Sequence, residues 1–157
     1  MNTINDDCIK LIKSFEGLKL KAYHGKLDKP GVDTIGYGTI QYPPYHIRGK
    51  RVKVGDPNIT EALAAEFLKY EVDKKTKAIN DLFRNDLTSN QYGALVSFAY
   101  NLGVGALKGS TLRTMINKDP NDPAIREEWM KWDMAGGHHI SGLQNRRKIE
   151  LDLYFKK

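Results

Sequence analysis

Ile4, Cys8, Leu11 and Phe15 recur at steps of four, three and four, which is one face of a 3.6-residue repeat. The spacing predicts an amphipathic helix with Thr3 as its cap, Asp6 three residues later, and an end at Glu16-Gly17. From Leu18 to Asp56 the helical period disappears. Gly25, Pro30, Gly31, Gly36, Gly38, Pro43, Pro44, Gly49 and Gly55 punctuate β-prone pieces such as Thr34–Tyr37 and Arg51–Val54. This texture predicts two or three short antiparallel strands with turns, too small a sheet to stand without helices.

The helical period then returns. Ile59-Thr60 opens a long stretch to about Phe83, with Leu63, Phe67, Leu68, Val72 and Ile79 as its apolar stripe. Leu87-Thr88-Ser89-Asn90-Gln91 has the pattern of a capping box behind a staple residue, ahead of the apolar run Leu95, Phe98, Ala99 and Leu102. Ser110 or Thr111 starts a further piece, and Asp122-Pro123 reads as a cap with proline at the first helical position. Ile125, Trp129 and Trp132 form one face, Gly136 to His139 a loop, and Asn145 to Tyr154 a last helix. The outline is a single α+β domain of two lobes. A helix and small sheet fill residues 1–58, a linking helix runs over about 60–83, and a helical lobe covers about 87–157.

A chain of 157 residues fits one domain and can bury a real core. Its 8 Tyr, 5 Phe and 2 Trp exclude a solvated coil, and no apolar run approaches the ~18 residues of a membrane span. The acidic, polar opening Met1 to Asp7 does not read as a secretory signal. A lone cysteine, Cys8, fits a reducing compartment and, on an apolar helix face, a core thiol. The 25 Lys and Arg against 19 acids give a net charge of +6, which favours polyanions such as nucleic acid, an anionic membrane surface or a bacterial wall. The basic residues are scattered and no nucleic-acid-binding motif appears, so charge alone selects none of these.

Glu16 is the first candidate for chemistry. At a helix C-terminus the macrodipole disfavours an ionised carboxylate, as a general acid requires, although an ordinary exposed glutamate before a glycine cap has the same sequence. The surrounding residues decide more. Phe15-Glu16-Gly17-Leu18-Lys19-Leu20-Lys21-Ala22-Tyr23, followed by Gly31-Val32-Asp33-Thr34-Ile35-Gly36-Tyr37-Gly38, closely resembles the phage-type lysozymes, the endolysins of glycoside hydrolase family 24. Asn90 to Gly105, Ser110-Thr111-Leu112 and Gly142 to Arg147 are similar to later landmarks of that family. The resemblance implies a two-lobed lysozyme-like fold with a small antiparallel sheet lobe and a helical lobe joined by a long helix.

It also implies a catalytic set of glutamate, aspartate and threonine. Glu16 matches the general acid and Thr34 the threonine. The usual aspartate position, nine residues after the glutamate, is Gly25 here, which has no side chain to offer. Counting back from Thr34, Asp28 falls at the family interval. Asp33 is the rival, since a two-residue hairpin across Pro30-Gly31 would set Asp28 opposite Asp33. Pro-Gly favours a type II turn, which splays hairpin strands, and Asp33 and Thr34 would point to opposite faces of a strand, so Asp28 is preferred. Arg146 matches an arginine that orients the catalytic glutamate in some relatives, and Arg147 can fill the same role. A basic helix answering Glu150 and Asp152 accounts for both equally well.

Tyr37, Asn101, Ser110 and Thr111 are candidate glycan contacts, with capping and core packing as the competing explanation. The adjacent His138-His139 pair lacks the helical spacing of a zinc site, so neither metal nor cofactor is expected. The implied activity is cleavage of the β-1,4 bond between N-acetylmuramic acid and N-acetylglucosamine in peptidoglycan during lysis of a bacterial host. The enzyme would be a monomer with no nucleic-acid partner and no stable membrane association. It would be held in the host cytoplasm until a separate membrane-permeabilising protein, a holin, releases it. An inactive wall-binding module and a lytic transglycosylase remain the alternatives, with a basic nucleic-acid binder a distant third.

Overall fold

The computed structural model describes residues 2–26 and 28–157. The first helix, α1, spans Asp6–Glu16 and closes on Gly17, whose φ of 66° is the left-handed value expected of a glycine stop. Its cap is Asn5 and not Thr3. Because the helix begins at Asp6, the third N–H inside it belongs to Cys8, and Asn5 Oδ1 accepts that N–H at 3.2 Å. Two compact units follow: one of residues 13–73, the other of the N-terminal residues to Ile12 with residues 74–157.

The unit of residues 13–73 carries the sheet. Strands β1 (Lys19–Tyr23) and β2 (Thr34–Gly36) are antiparallel, with Lys19 opposite Gly36 and Tyr23 opposite Thr34. The strand expected over 51–54 is only a bridge between Gln41 and Arg51. Tyr42 N–H donates to Lys50 O and Val52 N–H to Ile40 O, both at 3.0 Å, but Pro43 and Pro44 have no N–H with which to extend the ladder. Gly36, with φ 66°, permits a close approach: a Cβ there would lie 3.4 Å from the Ala64 side chain. Helix α2 (Glu61–Leu82) starts where the Thr60 hydroxyl accepts the Leu63 N–H at 3.1 Å. In this unit it buries Ala64, Phe67, Leu68 and Val72, and Tyr42 meets Phe67 edge-on with ring centroids 5.8 Å apart. The boundary between the units falls inside α2, after Asp73.

The second unit is helical. It contains α3 (Ser89–Leu102), α4 (Val104–Lys108), α5 (Thr111–Lys118), α6 (Ile125–Met130) and α7 (Ser141–Tyr154). Thr88 and Gln91 form the predicted capping box, an arrangement that stabilises a helix by about 1 kcal/mol. Every residue of α3 from Gln91 to Ala99 is buried, and α7 is its main packing partner. Phe98 stands edge-on to Trp129 and Trp132, at 5.4 and 5.6 Å. Burying large apolar side chains of this kind contributes roughly 1.5–3 kcal/mol each. Cys8 is fully buried, its thiol donating to Gly93 O at 3.2 Å, and burial pushes that thiol up to about 12, as befits a core residue.

Three local expectations change here. Asp122 Oδ1 accepts the Ala124 N–H at 2.9 Å, so Asp122-Pro123 forms a turn and α6 begins only at Ile125. The expected loop at 136–139 belongs to a hairpin of β3 (Met134–Ala135) and β4 (His138–His139). Gly136 and Gly137 supply its two-residue turn with φ of 58° and 80°, the positive values that a type I′ turn requires. Helix α7 starts at Ser141, earlier than Asn145. Among the described residues no helix is long and apolar enough to cross a membrane.

Candidate active site

Glu16 is the last residue of α1 and is half-buried. One residue of turn separates it from the approach to β1, whose last residue, Tyr23, lies opposite Thr34 of β2. Opposed residues on antiparallel strands project from the same face, so this register puts the Tyr23 ring and the Thr34 hydroxyl side by side. Thr34 is 6% exposed, and its hydroxyl lies 3.4 Å from Asp28 Oδ2.

Asp28 reaches that position through the loop between the strands. Its N–H donates to Gly25 O at 3.1 Å, and its Oδ2 accepts the Gly25 N–H at 2.7 Å, closing a small ring on the glycine. A Cβ placed on Gly25 would sit 2.6 Å from that same oxygen. The Asp28 carboxylate therefore occupies the space in which a side chain at position 25 would begin. The three-residue shift from the usual aspartate position is absorbed by folding the loop back on a residue without a side chain. Farther along, Val32 N–H donates to Lys29 O at 3.0 Å, and Gly31 has φ 79°. Pro30-Gly31 is thus a type II turn inside a wide loop and not a two-residue hairpin.

Asp33 is engaged elsewhere. Its Oδ1 lies 3.0 Å from His24 Nδ1 and its Oδ2 accepts the Val54 N–H at 2.9 Å, so it ties the β1 end to a later loop. These contacts, Val54 first, hold its carboxyl below the usual carboxylate range. A depressed group stabilises the fold above its unfolded value of about 3.9 and loses that contribution as pH falls through its lower folded value. The Asp33 carboxyl carbon resonance should therefore titrate with a midpoint under 3.9, and a midpoint at or above it would contradict the anchor.

Tyr23 is a residue whose part the sequence left unassigned, although it closes the Glu-Gly-Leu motif. Its phenol is raised above the ordinary tyrosine value by burial first, then by the charges of Asp28 and Glu16. The hydroxyl thus lies in the field of both acids. Tyr37 is 6% exposed and has the Lys13 ammonium 5.3 Å from its ring centroid.

The remaining candidates belong to the helical unit. Ser110 caps α5: its hydroxyl accepts the Arg113 N–H at 3.0 Å and donates to Leu107 O at 2.8 Å, while Thr111 is exposed as the first residue of that helix. Asn101 is half-buried near the end of α3, with Oδ1 accepting from Arg147 Nη2 at 2.6 Å. Arg146 is 6% exposed, donating through Nη2 to Ser97 O at 3.0 Å and lying 3.4 Å from Glu150 Oε2 through Nε. Neither arginine is part of a solvated basic face. Among the described residues no three His, Cys, Asp or Glu side chains cluster as metal ligands.

A helical unit and a unit with a small antiparallel sheet, joined in one chain, define a lysozyme-like fold, and solved structures share it. An endolysin from Escherichia coli O157:H7 phage FAHEc1 superposes with a TM-score of 0.82 at 36% identity, covering 98% of this chain and 94% of that one. A variant of P22 lysozyme gives 0.80 at 33% identity, covering 99% of this chain and 100% of that one. The phage lysozyme family profile matches residues 13–150, and the chain belongs to that family. It is 40% identical over 146 residues to the endolysin of Bacillus phage B103, a match that takes in 93% of this chain. The chain spans about half the length of that relative, 51%.

Proposed function

We propose that the protein is a muramidase of the endolysin type, hydrolysing the β-1,4 bond between N-acetylmuramic acid and N-acetylglucosamine in peptidoglycan. The observation that carries this reading is the seat of Asp28: a carboxylate fitted over Gly25 and beside Thr34, while Tyr23 feels the charge of both Asp28 and Glu16. Glycosidic cleavage needs two carboxyl groups in different roles. Glu16 donates a proton to the leaving oxygen as the bond to the anomeric carbon breaks. Asp28, ionised, draws a proton from a water that adds to the opposite face of the sugar. Thr34 holds that water through its hydroxyl. This is the inverting arrangement, in which general acid and general base exchange roles in the reverse direction.

Asn101, Tyr37 and Thr111 are proposed glycan contacts, with Ser110 contributing chiefly through the α5 cap. The net charge of +6 favours approach to an anionic wall, an attraction that salt weakens. The names of the relatives, endolysin and lysozyme, support the same substrate.

Digestion of purified peptidoglycan, followed by mass spectrometry of the soluble fragments, tests the proposal. Fragments with reducing N-acetylmuramic acid ends are expected. Anhydro ends would replace hydrolysis with transglycosylation, in which no water completes the reaction. A folded protein that binds the wall and releases nothing would reduce it to a binding module.

A further inference from the structure

The helical unit buries a charge cluster that the hydrolytic chemistry does not use. Glu150, on α7, is 0% exposed. Its Oε2 accepts the Ser97 hydroxyl at 2.6 Å and its Oε1 the Trp129 indole N–H at 3.3 Å. Arg147, one turn earlier and also 0% exposed, sets its Nε 2.9 Å from Oε1, at an angle that gives no hydrogen bond. Its guanidinium lies over the Phe98 ring, 4.8 Å from the centroid. Burial lowers Arg147 to about 10, so it stays cationic at neutral pH, while burial raises Glu150 against the pull of both arginines.

Such a pair is a weak source of stability, since desolvating two ions offsets much of their attraction and an apolar pair of similar volume serves as well. Its geometry points elsewhere. Arg147 Nη2 reaches Asn101 Oδ1 at 2.6 Å. An arginine has donors only, so the Asn101 atom facing it must be the carbonyl oxygen, and the amide nitrogen is turned away from the buried cluster. Among the described residues that nitrogen has no hydrogen-bond partner, and Asn101 is half-exposed. Glu150 fixes Arg147, Arg147 fixes the carboxamide, and the carboxamide presents two N–H donors of set direction.

We propose that the buried Glu150–Arg147 pair positions Asn101 as a fixed hydrogen-bond donor for the acetamido carbonyl of an N-acetylated sugar. This rests on the reading of Asn101 as a glycan contact. A carboxamide free to flip would present its carbonyl half the time and meet the acetamido oxygen with a like acceptor. Locking it selects acetylated over de-acetylated glycan. Arg147 and Glu150 are positioning residues in this account and touch no substrate.

The test compares binding of the N-acetylglucosamine tetramer with that of its de-N-acetylated counterpart by calorimetry, a readout that needs no turnover. Removing both charges together in Arg147→Met/Glu150→Leu leaves neither member of the pair facing an empty partner, while Arg146, which also meets Glu150 Oε2 at 3.4 Å, keeps its hydrogen bond to Ser97 O. That variant should weaken binding of the acetylated tetramer roughly five- to tenfold, the worth of one hydrogen bond, and leave the de-acetylated one unchanged. Asn101→Ala should lose the same factor, and adding it to the double variant should cost nothing more. On peptidoglycan, KM rises and kcat holds. Should the double variant fail to fold, Arg147→Lys keeps the charge but cannot span both partners, and the same loss of acetyl preference is expected.

A folded charge-free variant with the parent's acetyl preference would overturn the proposal, as would additive losses. Parent-like binding by Asn101→Ala would remove the glycan contact itself and the inference with it. Hydrolysis through Glu16 would stand in that case.

Discussion

Glu16→Gln should lower peptidoglycan hydrolysis by roughly 100- to 10,000-fold while the protein remains folded. Glutamine keeps the size and hydrogen-bonding reach of the side chain and loses only the transferable proton. The sugar leaving group is a poor one without that proton, so the loss falls on kcat and not on glycan binding. The position makes the substitution tolerable, because Glu16 is the last helical residue and Gly17 closes α1 in a left-handed conformation that is independent of the side chain before it. Reducing-end release from purified peptidoglycan, with a thermal melt alongside, reads both quantities. Parent-like turnover in a folded Glu16→Gln protein would remove Glu16 from the mechanism. A collapse of both activity and melting temperature would make it a structural residue.

The sequence made the helices legible wherever one strong local signal controlled them. Thr88 to Gln91 is a capping box because its side chains and backbone satisfy each other within four residues, and the Gln91 amide adds longer-range bonds to Pro120 O and Asn121 Oδ1. The apolar period of α2 and the glycine stop of α1 are equally local. Expectations failed where two local signals competed. Thr3 and Asn5 are both good caps, and the choice fell to Asn5 because the helix starts at Asp6. Gly136-Gly137 is punctuation in a loop or the turn of a hairpin. Here Asp133 settles it by binding His139 Nδ1 at 2.8 Å and Gln144 Nε2 at 2.9 Å, drawing β4 and the start of α7 together.

The site followed the same rule. The places of the two candidates Glu16 and Thr34, at the end of α1 and the start of β2, could be read from motif spacing, since the sequence marks the ends of those elements. Arg147 could not. In a linear reading, Arg146-Arg147 followed by Glu150 and Asp152 is an ordinary charged helix face. Only the approach of α3 to α7, with Ser97, Phe98 and Asn101 facing it, turns Arg147 and Glu150 inward. Long-range burial leaves no trace in the spacing of charges along one helix. Tyr23 is similar: its place in the motif was visible, while its position in the field of two acids depends on a cross-strand register and a loop.

Asp28→Asn should cost hydrolysis a similar 100- to 10,000-fold, and Asp33→Asn far less, because the two aspartates are held for different work. Asp28 has one oxygen on the Gly25 N–H and the Thr34 hydroxyl, and neither of those partners is a cation. Asp33 is committed to His24 and the Val54 N–H, so its loss should loosen a loop and leave the chemistry in place. Gly25 provides the sharper discriminator. A methyl group added there would stand 2.6 Å from Asp28 Oδ2, closer than a Cβ can approach an oxygen, so Gly25→Ala must displace the carboxylate without removing it. If Asp28 is the base, Gly25→Ala should cost about 100-fold in kcat, since a misplacement of about 1 Å is enough for that, with little change in melting temperature because the loop is exposed on one side. If Asp33 were the base, Gly25→Ala would leave turnover near the parent level and Asp33→Asn would abolish it. Measuring kcat for these three variants on the same peptidoglycan assigns the base. Turnover that survives in Asp28→Asn and disappears in Asp33→Asn would reverse the assignment.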